Sequence, residues 1–196
     1  MILENVKVYD GNIIHNRFAY TYFRNKTLPI GNILAFRAPM LVEAAGMIDQ
    51  EDVLNNDYIY SDDAINFVWE IPNMDSFGAI AWQRLFNTQI ANILSTNYIK
   101  CPIEVDGDDL MVHKEHTQHG IIQPSGKCSV SITHVKNGAA LGHTAINVKA
   151  GKKAPAFAYS TNLTDEECVL FMRDVIDLFY SLNDDIFIST TKIISK

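Results

Sequence analysis

The run from Gly126 to Val148, GKCSVSITHVKNGAALGHTAINV, constrains the fold more than any other stretch of the chain. Cys128, Val130 and Ile132 alternate with Ser129, Ser131 and Thr133, the periodicity that a strand with one buried face requires. Asn137-Gly138 supplies two residues that tolerate positive φ, so the turn between two strands has a mechanism as well as a composition. Leu141, Thr144, Ile146 and Val148 then resume a strand-like pattern. Lys127 stands at the entrance of this hairpin and Asn147 near its exit.

The rest of the chain reads as strands with two long helices. Residues 1 to 24 suggest an opening β-segment, with Leu3, Val6, Val8, a turn at Asp10-Gly11-Asn12 and an aromatic run from Phe18 to Phe23. A turn is expected over 28–32. Ile33 to Val42 is apolar on both faces apart from Arg37, as in a central strand interrupted by Pro39. An acidic, turn-like stretch follows over 46–57, with one helical turn from Asp49 to Leu54. Ile65, Phe67, Trp69 and Ile71 alternate with Asn66, Val68 and Glu70, so residues 58 to 71 form a strand that Pro72 stops.

Ser76 to Leu94 carries Ile80, Leu85, Phe86, Ile90 and Ile93 at helical spacing, with Ser76 as a capping residue. Strands are expected from Tyr98 to Val105 and from Asp109 to His113, joined by Asp106-Gly107-Asp108. A polar loop covers 114–125. Thr164 to Leu182 is a second helix, opened by a capping-box spacing, and Ile186 to Ile194 reads as a last β-run. The expected fold is one α+β domain over residues 1–196: a mostly antiparallel mixed sheet of six to eight strands, with two main helices on one face.

Composition narrows the function. The formal net charge of −7 argues against a nucleic-acid partner, because phosphate neutralisation needs clustered Lys and Arg. The three cysteines are widely spaced and form no C-x-x-C pair, which points to a reducing cytoplasm rather than a disulfide framework. No leader-like segment opens the chain, and no apolar run approaches the ~20 residues of a membrane span. A homodimer is compatible with all of this.

Asp108-Asp109-Leu110, Gly126-Lys127, Gly142 to Val148 and the strand Ile65 to Pro72 occur in an order that resembles the catalytic core of the biotin and lipoate protein ligases. Those enzymes share the antiparallel-sheet fold of class II aminoacyl-tRNA synthetases. Asp109 stands in the place of the ligases' Asn-Asp-Leu aspartate. Gly126-Lys127 matches their Gly-Lys, and Ala145-Ile146-Asn147-Val148 their Gly-Ile-Asn-Val strand. The likeness covers roughly residues 60 to 180. The chain also resembles an uncharacterised, largely archaeal family of the same fold. Its marks are an Asp-rich stretch, here Met47 to Val53, an Ile-Tyr-Ser run at Ile59-Tyr60-Ser61, and a Lys-x-Ser-Val-Ser-Ile strand at Lys127 to Ile132.

The resemblance implies that Lys127 holds a substrate carboxylate or activated acyl-phosphate, where a compact cation offsets developing negative charge. It implies that Asp109, Asn147 and His143 orient the ligand. Arg37, inside an apolar strand, needs a carboxylate or an anionic ligand as partner. No glycine cluster accompanies it, so backbone amides that would cradle a triphosphate are not evident, and no cofactor is assigned. The octanoyl transferases of this fold use a cysteine where this chain has Pro155-Ala156-Phe157, so a thioester route lacks its nucleophile.

His113, His116 and His119 have a metal-like spacing on a helix, but strand geometry would put His116 opposite the other two, and a solvated loop is the commoner outcome. His134 reads as a strand histidine, and Asp62-Asp63 as a strand-entry cap. The leading expectation is a ligase or acyltransferase acting on a small carboxylate or acyl compound. The alternative is a non-catalytic ligand-binding or interaction domain that has lost the nucleotide loop.

Overall fold

The computed structural model describes residues 1–15, 18–24, 30–113, 115–123 and 125–194. A four-stranded antiparallel sheet forms its centre, in the order β1 (Asn32–Val42), β2 (Ile59–Pro72), β9 (Ala139–Lys149), β8 (Ser129–Lys136). The β8–β9 turn is the expected one: Lys136 faces Ala139 across it, and Asn137 and Gly138 take φ of 52° and 73°. A second ladder joins β3 (Ile103–Asp106), β4 (Asp109–Val112) and β7 (Gly126–Lys127). A small hairpin, β5 (His116–Gln118) with β6 (Ile121–Gln123), occupies the segment expected to be a polar loop.

Alternation sorts the sheet into two faces. Ile33 and Ala35 of β1, Ile65, Phe67, Trp69 and Ile71 of β2, and Ile146 and Val148 of β9 enter one core. Over them lie α3 (Ser76–Ile93), through Trp82, Phe86 and Ile90, and α4 (Asp165–Lys192), through Phe171, Val175 and Phe179. Leu34, Phe36, Ala38 and Met40, with Val68, Leu141 and Ala145, form a second core on the opposite face, closed by Tyr9, Ile14 and Phe18. Gly142 is a packing requirement, since a Cβ there would lie 1.9 Å from the Trp69 ring.

Several expectations give way. The opening segment forms no strand among the described residues: of these, only Ile2 and Tyr9 make isolated bridges to β1, and the aromatic run forms the short helix α1 (Phe18–Phe23). β1 is an edge strand, not a central one. Its outer edge is covered by that opening segment, in which the Tyr9 amide donates to the Pro39 carbonyl and the Leu41 amide to the Tyr9 carbonyl. Pro39, which has no N–H to give, sits at a register shift, where an edge strand tolerates it. Part of the turn expected over 28–32 falls outside the described residues.

The helical turn expected from Asp49 to Leu54 is present as helix α2 (Gln50–Asn55), capped by Asp49. Asp75, rather than Ser76, caps α3 by accepting from the Gly78 amide. Residues Leu94–Ile99 continue α3 as a π-turn, so the strand expected from Tyr98 begins only at Ile103. The terminal β-run is instead helix: α4 opens with the Thr164–Glu167 capping box and runs unbroken to Lys192. In β8 the alternation is right but the faces are exchanged. Ser129, whose Oγ accepts from the Leu110 amide, and Thr133, whose hydroxyl donates to the Leu141 carbonyl, are buried, while Val130 and Ile132 pack against the second core.

Candidate functional site

On the sheet face opposite α3 and α4 lies a cavity of about 550 Å³, within the range typical of small-ligand sites. β8 and β9 form its floor through Val130, Ile132, His143 and Asn147. Tyr9, Ile14, Met47, Ile48 and Phe157 supply apolar walls. Lys127 and Asp109 enter from the second ladder.

The backbone of Lys127 is held on both sides. β7 pairs with β4, placing Lys127 opposite Met111. On its other side the Lys127 amide donates to the Phe157 carbonyl at 2.8 Å, and the Tyr159 amide donates to the Lys127 carbonyl at 2.7 Å. Gly126 makes this approach possible, because a Cβ there would lie 2.5 Å from the Phe157 carbonyl oxygen. The Lys127 side chain is 27% exposed, and its ammonium meets the Asp109 carboxylate at 2.7 Å. Asp109 thus balances the charge of Lys127 at the cavity wall.

A buried chain of polar groups supports this corner from the helix side. Thr144 Oγ1 donates to Asn87 Oδ1 at 2.9 Å, and Asn87 Nδ2 donates to the Asp108 carbonyl at 3.0 Å. Gln83 Nε2 donates to Ser131 Oγ at 2.7 Å. Arg84 reaches both Gln83 Oε1 and the Asp108 carboxylate. These contacts anchor the β3–β4 turn, and through it Asp109. Sequence reading missed them, although Gln83 and Asn87, one helical turn apart on the core-facing side of α3, were the available signal.

His143 is fully buried within the cavity wall, its ring stacked on Tyr9 at 3.9 Å. Asn66 Nδ2 donates to the Ala64 carbonyl, so Asn66 Oδ1 is the acceptor and His143 Nε2 carries the proton toward it, at 3.0 Å. Burial pushes the His143 pKa down to about 3. The ring is therefore neutral and acts as a fixed surface rather than an acid or base at neutral pH.

Asn147 is 4% exposed. Its backbone carbonyl accepts from the Thr161 amide and hydroxyl, while its side-chain Oδ1 has no hydrogen-bond partner among the described residues. A buried acceptor without a donor is costly.

Arg37 lies elsewhere. It projects from the helix-facing side of β1, where Nε and Nη2 grip Asp63 in bidentate fashion and Nη1 reaches Asp165 at 2.6 Å. It does not line the cavity. Of the histidines, His113 pairs with Glu104 at 2.9 Å and His119 with Glu167 at 3.1 Å, in separate places. The side chain of His116 lies outside the described set. Among the described residues no three His, Cys, Asp or Glu side chains are grouped to hold a metal ion. Cys128 donates its S–H to the Leu110 carbonyl, and burial pushes its thiol up to about 12. Cys168 is pushed up to about 11 by the same cause. Neither presents a thiolate.

A four-stranded antiparallel sheet with two long helices on one face, a ligand-sized cavity on the other and a Gly-Lys at its rim define a protein of the biotin and lipoate protein ligase fold. Solved structures agree. The chain is similar over its whole length to a protein of unknown function from Pyrococcus horikoshi, at 22% identity, covering 97% of that chain with a TM-score of 0.82. P. falciparum LipL1 in complex with lipoate matches at 14% identity, covering 93% of this chain and 63% of that one, with a TM-score of 0.52. The biotin protein ligase from Aquifex aeolicus matches at 11% identity, covering 92% and 68%, with a TM-score of 0.51. No curated protein matches the chain in sequence. Residues 1–194 match one family over nearly the full length, and the chain belongs to it: Domain of unknown function (DUF366).

Proposed function

We propose that the protein binds a small carboxylic acid or its acyl derivative in the cavity, with Lys127 engaging the acid group and Asp109 and Asn147 orienting the molecule. One observation carries this reading: the Lys127 ammonium at the wall of a cavity of about 550 Å³, on a backbone fixed from both sides. The structural likeness to LipL1, which was solved in complex with lipoate, supports an acid with an apolar body. Val130, Ile132, Met47, Ile48 and Phe157 provide the surface such a body needs. The reaction we assign is ligation or acyl transfer, carried by a single ligase-like domain in the cytoplasm. Three cysteines that form no disulfide support that location.

A non-catalytic binding domain is the second reading, favoured by the thiols pushed up by burial and by Arg37, whose donors are taken by Asp63 and Asp165. Isothermal titration against lipoate, biotin and octanoate, with and without ATP and Mg²⁺, tests the proposal. Binding of at least one acid, weakened about tenfold or more in Lys127→Ala, is the expected result. No binding, or binding unchanged in that variant, overturns it. Exchange of label between pyrophosphate and ATP in the presence of the acid would eliminate the non-catalytic reading.

A further inference from the structure

The charge on the cavity wall does not match that of a simple fatty acid. Lys127 is the only lysine or arginine lining it among the described residues, and Asp109 already neutralises that cation. Asp108 is taken by Arg84. Asp49, Asp52 and Asp57, from α2 and its flanks, remain as excess negative charge on the same cavity. The carboxyl of Asp52 is raised above its ordinary pKa by burial and by Asp49 and Asp57, while Lys127 opposes the rise. Asp52 thus sits within the electrostatic reach of its acidic neighbours and of the lysine alike. An anion entering this cavity alone would meet net repulsion.

Independently, Asn147 Oδ1 is buried on the cavity face of β9 without a hydrogen-bond donor among the described residues. Both observations ask the ligand for hydrogen-bond donors, and the carboxylates ask in addition for positive charge. Resting on the reading of Lys127 as the acid-binding group, we propose that the ligand is amphoteric. It is a small amino acid-like molecule whose carboxyl or acyl end meets Lys127 and whose ammonium or amine end is received by Asp52 with Asp49 and Asp57. Its N–H groups, or the N–H of an attached amide, satisfy Asn147.

Calorimetric titration of the full chain with n-alkanoates of four to eight carbons, and with the ω-amino acids of the same lengths, tests this directly. At one or more lengths the amino acid should bind about tenfold more tightly than its alkanoate. Asp52→Asn and Asp57→Asn, each confirmed folded by far-UV circular dichroism, should bring that ratio toward one, and Asn147→Ala should weaken the amino acid further than the alkanoate. Alkanoates binding as well as the amino acids at every length would overturn the amphoteric ligand and leave Lys127 as an acid-binding residue. Binding by neither series would overturn the amphoteric ligand, and the reading of Lys127 falls with it only if lipoate and biotin also fail to bind. A preference that survives Asp52→Asn and Asp57→Asn together would sink the assignment of the amine subsite.

Discussion

Lys127 and Asp109 are both partly open to water, and a pair of that kind contributes about 0.2–1 kcal/mol to folding. Lys127→Ala should therefore leave thermal unfolding almost unchanged while removing ligand affinity, a split that calorimetry with and without ligand reads directly. His143 behaves in the opposite way. Its folded pKa of about 3 lies below the ordinary value of 6.5, so on acidification the unfolded chain takes up the proton first. Stability from this group is complete above about pH 6.5 and is lost as pH falls toward 3, at up to about 1.4 kcal/mol per pH unit. Denaturant midpoints between pH 4 and pH 7 should rise with pH, and the slope should shrink in His143→Gln. Lys127, Asp109, Asn147 and His143 were legible as candidates because each sits inside a short motif of fixed order. Asp49, Asp52 and Asp57 were legible only as an acidic stretch, since nothing local says that α2 folds back over the sheet.

Gly142 shows what an element demands of a single position. Overfilled cores usually lose about 1–3 kcal/mol, and a Cβ 1.9 Å from the rigid Trp69 ring belongs at or beyond the top of that range. Gly142→Ala should thus lower the urea midpoint sharply and alter the near-ultraviolet tryptophan signal. In α4 the last buried residue is Asn183, and Ile186, Phe187 and Ile188 are exposed. Amides beyond Asn183 should exchange with solvent well before those around Phe171 and Val175.

That segment also explains a misreading. Ile186 to Ile194 is rich in β-branched residues, yet extending an existing helix costs no new nucleus, and neither glycine nor proline interrupts residues 165–192. Strand β2 and helix α3 were readable because their periods run over many residues. The exchanged faces of β8 were not, because Gln83 and Ser131 supply each other's hydrogen bonds from distant parts of the chain.

At the scale of the molecule, Arg37 fastens the sheet to the start of α4 through Asp63 and Asp165. Arg37→Ala leaves the partly buried Asp63 without its guanidinium and should cost about 1–3 kcal/mol of stability. Ligand affinity should stay within twofold of the parent chain. A tenfold loss of affinity would return Arg37 to the site. The antiparallel architecture was legible because hairpins and helices are local, whereas β7, which brings Lys127 to the cavity, has only two residues and so no period to read.

β9 carries alternate residues to opposite purposes: Ile146 and Val148 join the helix-covered core, and His143 and Asn147 look into the cavity. The helix-covered core and the cavity are thereby separated by the thickness of one pleat. Descendants of this chain could drift to new small molecules mainly at position 147, because Leu141 and Ala145 on the same side belong to the second core and His143 is packed on Tyr9. A deep mutational scan scored separately for abundance and for ligand retention should set position 147 apart from Leu141, Ala145, Ile146 and Val148, where abundance falls first.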